Sequence, residues 1–203
     1  AAEAWVNAYY NTFLHEQEVL TDYQTNPNIA VVGGFMCAET DEEAWRKAEG
    51  WTFFQFALQL YGQEGPFEPG TVNFWDRYEE WKATPAGQKR SGSELIGSPD
   101  TIRERLKELE DANVDQVILL NQAGKNTHQD ICESLELFAH EVMPEFHARE
   151  EEHQVWKRSV LAGETILEDI DTEPFNFQRG RKPTLPSTKQ TRDMVAGVTG
   201  RPH

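Results

Sequence analysis

Polar side chains follow two hydrophobic runs, at the point where each run would end as a strand. The turn Asn121-Gln122-Ala123-Gly124 follows Val114–Leu120, and Cys37-Ala38-Glu39 ends the earlier run that starts at Ile29. Ligands of α/β proteins bind at the carboxyl ends of parallel strands. Side-chain amides and backbone N–H groups near a helix start hold polar ligand atoms. We therefore predict that Asn121, Gln122 and Gly124 bind a ligand, with turn formation and helix capping as their alternative role.

Other reactive side chains give weaker signals. His128 and Cys132 are four residues apart and could share one helix face, but no further ligands follow at a spacing typical of zinc, so we predict no metal site. Cys37 and Cys132 lie in apolar surroundings, which indicates two buried, unreactive thiols in a reducing compartment. The chain contains neither a glycine-rich phosphate loop nor a nucleophile elbow, so no catalytic residue is assigned.

The elements that would position these residues alternate between helix and strand. Hydrophobic periodicity predicts four helices: residues 1–22, 40–62, 98–113, and a last helix through Ile131 and Val142 that Pro144 closes. Two runs without polar alternation, 29–38 and 114–120, predict strands buried on both faces. This alternation is typical of an α/β fold in which helical crossovers join parallel strands.

Local signals refine these elements. Thr40 begins a capping box, Ser98 precedes a proline at the first helical position, and Asn113 suits a left-handed helix exit. Gly33 and Gly34, in the middle of the first strand, predict a bulge or a close approach of another group to the backbone.

Residues 63–96, which we call the insert, interrupt the alternation. Glycine and proline punctuate this stretch, and Trp75, Tyr78 and Trp81 recur at three-residue steps between them. That spacing places the three aromatic rings on roughly one side of a helix. We predict a helical insert that packs onto the body of the protein, with a lid or a substrate wall as the functional alternative.

Composition and charge narrow the class of protein. The 203 residues carry 19 Lys+Arg against 35 Asp+Glu, a net charge of −16, and this sign excludes nucleic acid as the expected partner. An aromatic content of 11% excludes a disordered chain, and no apolar run approaches the roughly 18 residues of a membrane helix. Six bases and one acid give 178–203 a net charge of +5, leaving −21 for the remainder. We expect a cytoplasmic α/β body followed by an extended basic tail.

One long stretch resembles a known family. The run from Ile96 to Phe146, with its Gly-Ser-Pro before a helix, its Val-Asp-Gln-Val opening a strand and its Val-Met-Pro close, is similar to the carboxyl-terminal end of bacterial-luciferase-like, flavin-dependent monooxygenases. Residues 29–48 resemble the preceding strand and helix of that family. Together the two stretches cover about two thirds of the chain.

The resemblance implies part of a (β/α)8 TIM barrel, namely its last two strands and their helices. It divides the chain into 1–147, a barrel portion that includes the insert as a lid, and 148–203, a carboxyl-terminal extension. A whole barrel takes roughly 250 residues, so we expect a fragment that is inactive alone. The resemblance also implies sheet edges without a partner strand. We therefore expect a homodimer, a pairing with an amino-terminal half, or aggregation.

The family oxidises small organic molecules with molecular oxygen and reduced flavin, and a flavin reductase is then a further expected partner. The resemblance implies FMN as the cofactor, with Asn121, Gln122 and Gly124 lining the flavin or substrate pocket. Two alternatives remain open at this point. One is a deazaflavin-dependent dehydrogenase of the same fold, and the other is a non-catalytic partial barrel that acts as a subunit or interaction module.

Overall fold

The computed structural model describes residues 2–16, 25–89, 94–121 and 124–170. In chain order the elements are α1 Ala2–His15, β1 Ala30–Cys37, α2 Asp41–Lys47, α3 Glu49–Glu64, α4 Phe74–Lys82, α5 Pro85–Gln88, β2 Leu95–Gly97, α6 Pro99–Asp111, β3 Gln116–Leu120, α7 His128–Glu141 and α8 Met143–Leu161. The chain divides into two compact units, Ala1–Glu168 and Asp169–His203. The predicted basic tail, 178–203, lies outside the described residues. Among the helices of the described ranges, none has the length and apolar character needed to cross a membrane.

Three parallel strands form one sheet in the order β2-β1-β3. The first half of β1, Ala30–Gly34, pairs with Gln116–Leu120 of β3, and its second half, Phe35–Cys37, pairs with β2. The predicted mixed α/β fold with parallel strands is thus confirmed. β2 was missed, because three residues are too few to show a hydrophobic period, and the last part of the predicted insert therefore belongs to the sheet.

Helices cover the two faces of the sheet unequally. On one face, Phe35 and Cys37 pack with Ile102 and Leu106 of α6 and with Val142. On the other, Met36 packs with Ala44, Ala48 and Trp51 of α2 and α3 and with Ile96. These side chains form the core around the second half of β1.

The first half of the sheet is open on one side. Val32 and Ile118 are register partners, yet their side chains are 58% and 42% exposed. The prediction that both strands are buried on both faces is therefore wrong for this half. The reason is that α2 and α3 cover this face only from Gly34 onward.

Most predicted helix signals are confirmed. Thr40 Oγ1 accepts the N–H of Glu43 at 3.2 Å, Ser98 Oγ accepts the N–H of Thr101 at 3.4 Å, and Asn113 has a φ of 58°. The helix predicted over 40–62 is divided at Ala48 into α2 and α3.

Pro144 does not close a helix as predicted. α7 ends at Glu141, and Pro144 lies in the first turn of α8, where a missing N–H costs nothing. α8 is continuous from Met143 to Leu161, across the boundary that the resemblance places between 147 and 148.

Candidate functional site

The predicted ligand-binding turn is folded onto a neighbouring helix. Gly124 has a φ of +59°, and a Cβ placed there would lie 2.6 Å from the carbonyl oxygen of Gly50 in α3. The side-chain amide of Asn126 donates to the carbonyl of Asn121 at 2.9 Å. Just beyond, the Lys125 ammonium lies 3.5 Å from the centre of the Trp75 ring in α4. Gln122 lies outside the described residues.

These contacts decide what the turn can do. A phosphate or flavin ring held here would need free backbone amides and open space, but the space beside Gly124 is filled by α3 backbone. The carbonyl of Asn121 is already bonded within the turn. The described residues of the turn therefore fit the turn-forming role, and their binding of a ligand stays a prediction.

The first strand's end is also closed. Ser134 of α7 is fully buried, and its Oγ accepts the N–H of Cys37 at 2.6 Å. Burial, followed by the nearby Glu39 carboxylate, raises the pKa of the Cys37 thiol to about 11. The predicted unreactive character of this thiol agrees with these surroundings.

A groove of about 560 Å³ lies between α2–α3 and α4–α5, and we call it the aromatic groove. Its size falls within the roughly 300–1,000 Å³ range of small-molecule sites. The residues that line it are Glu42, Trp45, Arg46, Glu49, Trp51, Thr52, Gln55, Phe56, Gln59, Tyr78, Trp81, Lys82, Gly87, Gln88, Lys89 and Glu94. One wall of the aromatic groove thus belongs to the insert.

The inner end of the aromatic groove is attached to the central strand. Trp51 packs against Gly34 so closely that a Cβ at position 34 would lie 2.2 Å from Nε1 of the indole. The Glu94 carboxylate accepts the N–H of Gly34 at 2.8 Å. The predicted close approach at the glycine pair is thereby confirmed at Gly34, and both lining residues are fixed by the backbone of β1.

The insert wall is held by aromatic packing. Tyr78 is almost fully buried and lies between Phe53 and Phe56 of α3, with ring centres 5.5 and 5.6 Å away. Trp81 packs on Phe56 at 5.2 Å. Such pairs add to the hydrophobic burial of their rings. The wall is therefore a packed part of the core.

An ion pair joins the two walls. Lys82 Nζ lies 2.6 Å from Glu49 and 3.1 Å from Glu79. The bond to Glu49, with a smaller contribution from Glu79, raises the pKa of Lys82 against the opposing effect of burial. Burial and then Glu49 raise the pKa of Tyr78. Neither group is thus a base near neutral pH. The groove presents aromatic rings together with three acids and three bases, so it suits a small organic molecule with an apolar body and no large net charge.

Sequence reasoning located the insert wall of the groove but missed its other wall. Glu42, Trp45 and Arg46 belong to a helix that the sequence predicts, yet no pattern shows which partner that helix meets. Asn121 and Gly124 do not line the groove. Within the described ranges, no three His, Cys, Asp or Glu side chains group as metal ligands would.

Comparison with known proteins does not assign the chain to a family. No family model matches the chain, and no curated protein matches it. The crystal structure of apo-MsnO8 is similar over 56% of this chain, with 22% sequence identity and a TM-score of 0.39. The similar part spans 34% of the MsnO8 chain. At this TM-score the likeness assigns neither a fold family nor an activity to the present chain.

Proposed function

We propose that this chain is part of a flavin-dependent oxidoreductase that oxidises a small organic substrate with molecular oxygen, and that the aromatic groove holds the substrate. The observation that carries the proposal is the attachment of this aromatic-lined groove to the central strand through Trp51 and Glu94. The sequence resemblance of 29–48 and 96–146 to luciferase-like monooxygenases supplies the reaction class.

The sheet is compatible with the barrel portion that the proposal requires. β1 and β3 are adjacent and parallel, as successive barrel strands are. β2 lies outside this succession, on the opposite side of β1, and pairs only with its last three residues.

The cofactor of the proposal is reduced FMN, which supplies the oxidative chemistry when bound, with a flavin reductase as its source. Because α3 backbone fills the space beside Gly124, we assign the main flavin contacts to other parts of the barrel. The role of this chain is then to bind the substrate and exclude water from it. The Glu49–Lys82 pair contributes by fixing the insert wall against α3.

A binding measurement tests the substrate role. Tryptophan emission is recorded while a medium-chain aldehyde, an alkane or an alkyl sulfonate is titrated into the chain. We expect saturable quenching by at least one of the three, and its loss in Trp81→Ala, which removes a lining ring. Trp5→Ala is the control, because Trp5 is half exposed on α1 and does not line the groove. Absence of saturable binding by all three probes would contradict the proposal.

A second measurement separates the alternatives. Fluorescence of FMN and of a deazaflavin is titrated with the chain in the presence and absence of the bound probe. Quenching of FMN that grows with the probe supports the monooxygenase, since linked ligands must help each other equally. The same result with the deazaflavin alone supports the dehydrogenase. Probe binding that neither flavin affects favours the non-catalytic module.

A further inference from the structure

The two cysteines of the chain have different surroundings. Cys37 is fully buried in the core beneath α7, and its amide is bonded to Ser134. Cys132 is only partly buried, in the second turn of α7. The expectation of two buried thiols is therefore wrong for Cys132, because its apolar neighbours in sequence do not mark a buried face: Leu135 is 40% exposed.

Cys132 is in contact with a base. Its Sγ lies 3.5 Å from Nε2 and 3.9 Å from Nδ1 of His128, one helical turn earlier. Thr127 caps the helix immediately before His128, through an N–H bond from Asp130 at 3.1 Å, and so fixes the backbone that carries the imidazole. A nucleophile and a base within hydrogen-bonding reach are the minimal arrangement for an activated thiol.

The charged groups around the pair are also defined. Lys47 of α2 lies 2.8 Å from Glu133 and 3.6 Å from Asp130, on the same turns of α7. These two carboxylates are thus partly neutralised by a cation. The amino-terminal end of α7 adds the positive end of the helix dipole, which favours negative charge on nearby groups.

We propose that Cys132 and His128 form a nucleophilic pair and that Cys132 is a modification site for small disulfides. The sulfur attacks one sulfur of the disulfide, and a new S–S bond forms to Cys132. The other sulfur leaves as a thiolate with the electron pair of the broken bond. The proton of the Cys132 thiol passes to the His128 imidazole and then to solvent. The incoming disulfide is the oxidant, so the step balances without another reagent.

Dithiobis-nitrobenzoate is the probe, since its leaving thiolate is coloured and one equivalent is released per thiol. At neutral pH we expect one fast equivalent from Cys132 and a slow one from Cys37 that appears only on unfolding. Cys132→Ser removes the fast equivalent. His128→Ala slows it by about tenfold, whereas His140→Ala does not change it, because His140 is exposed on the last turn of the same helix.

Chemical rescue distinguishes a base from a structural residue. Added imidazole should restore the fast rate in His128→Ala and leave the wild type and His140→Ala unchanged. Circular dichroism confirms that each variant is folded. The proposal is wrong if the fast equivalent persists in Cys132→Ser, if His128→Ala reacts at the wild-type rate, or if imidazole has no effect on that variant.

Discussion

The indole of Trp51 occupies the place that a side chain at Gly34 would take. A Cβ at this position would lie 2.2 Å from two atoms of the indole ring, which is far inside van der Waals contact. The backbone N–H of Gly34 also donates to the Glu94 carboxylate at 2.8 Å. The absence of one methyl group on β1 therefore lets α3 approach the sheet and sets the inner end of the aromatic groove.

Gly34→Ala should disturb both stability and the groove. The added methyl group would collide with the Trp51 ring, which is itself buried. We therefore expect a loss of about 1–3 kcal/mol in the free energy of unfolding, the usual cost of overpacking a core. Urea titration followed by tryptophan emission measures it.

Gly33→Ala is the matched control for this substitution. A Cβ at Gly33 would lie 3.8 Å from Leu95, an ordinary contact, so we expect a much smaller effect. Equal destabilisation by both substitutions would contradict the assignment of the loss to the Trp51 contact.

Trp51 and Gly34 also show what the sequence could and could not predict. The glycine pair indicated a close approach because glycine in a strand has few other uses, but nothing in the sequence named Trp51 as the group that approaches. Caps such as Ser98 were predictable because their partners lie three residues away. β2 and the α2–α3 wall of the groove depend on contacts between distant segments, which leave no local pattern.

The ligand-binding prediction for the turn meets the same limit and stays a prediction. Asn121 and Gly124 have the residue types of a ligand-binding turn, and the turn does follow a parallel strand. Their alternative, structural role holds because α3 lies against the turn at Gly50. Only the position of α3, which the sequence does not give, separates the two roles.

Asp115 connects four elements at the start of the sheet, and its charge should be essential for stability. Its carboxylate is 3% exposed and accepts bonds from the Tyr10 hydroxyl and the Ile29 N–H, while Lys157 and His153 lie 3.1 and 3.0 Å away. Asp115→Asn leaves the buried Lys157 ammonium without a counter-charge. We expect a loss of about 3 kcal/mol in the free energy of unfolding.

Two further variants test whether the unpaired Lys157 ammonium causes this loss. Lys157→Met in the Asp115→Asn background should recover part of the loss, because it removes the unpaired charge. Asp111→Asn breaks an exposed pair with Lys107, so it should hardly change the free energy of unfolding. Additive losses from Asp115→Asn and Lys157→Met would contradict the coupling.

The pKa of Asp115 also indicates how the free energy of unfolding depends on pH. Burial raises the pKa of Asp115, but the bonds from Ile29, Tyr10, His153 and Lys157 outweigh it, so the pKa lies below its ordinary value of 3.8. A lowered pKa means that the folded state prefers the ionised form. The resulting stability is fully present above pH 3.8 and is lost as the pH falls through the folded pKa.

Urea midpoints between neutral pH and pH 3 measure this loss. Many other carboxylates titrate over the same range, so the informative quantity is the difference between wild type and Asp115→Asn. We expect that difference to be constant near neutral pH and to shrink below about pH 4. A difference that stays constant to the lowest pH would mean that Asp115 has the same pKa in the folded and unfolded states, which would contradict the lowered pKa.

Substitution of Gly124, in the predicted ligand-binding turn, should be destabilising for two reasons: a left-handed backbone and a close contact with α3. Alanine at this position must adopt a φ of +59° and must also place its Cβ 2.6 Å from the carbonyl oxygen of Gly50. Gly163 has a similar φ of +73° with open space around it, so Gly163→Ala has only the backbone cost of about 1–2 kcal/mol. Gly124→Ala should add about 1–3 kcal/mol to that, because backbone atoms cannot give way as a side chain can. Thermal or urea unfolding of the two variants gives both values. If they lose the same free energy of unfolding, the turn is not packed on α3, and its residues would again be open to a ligand.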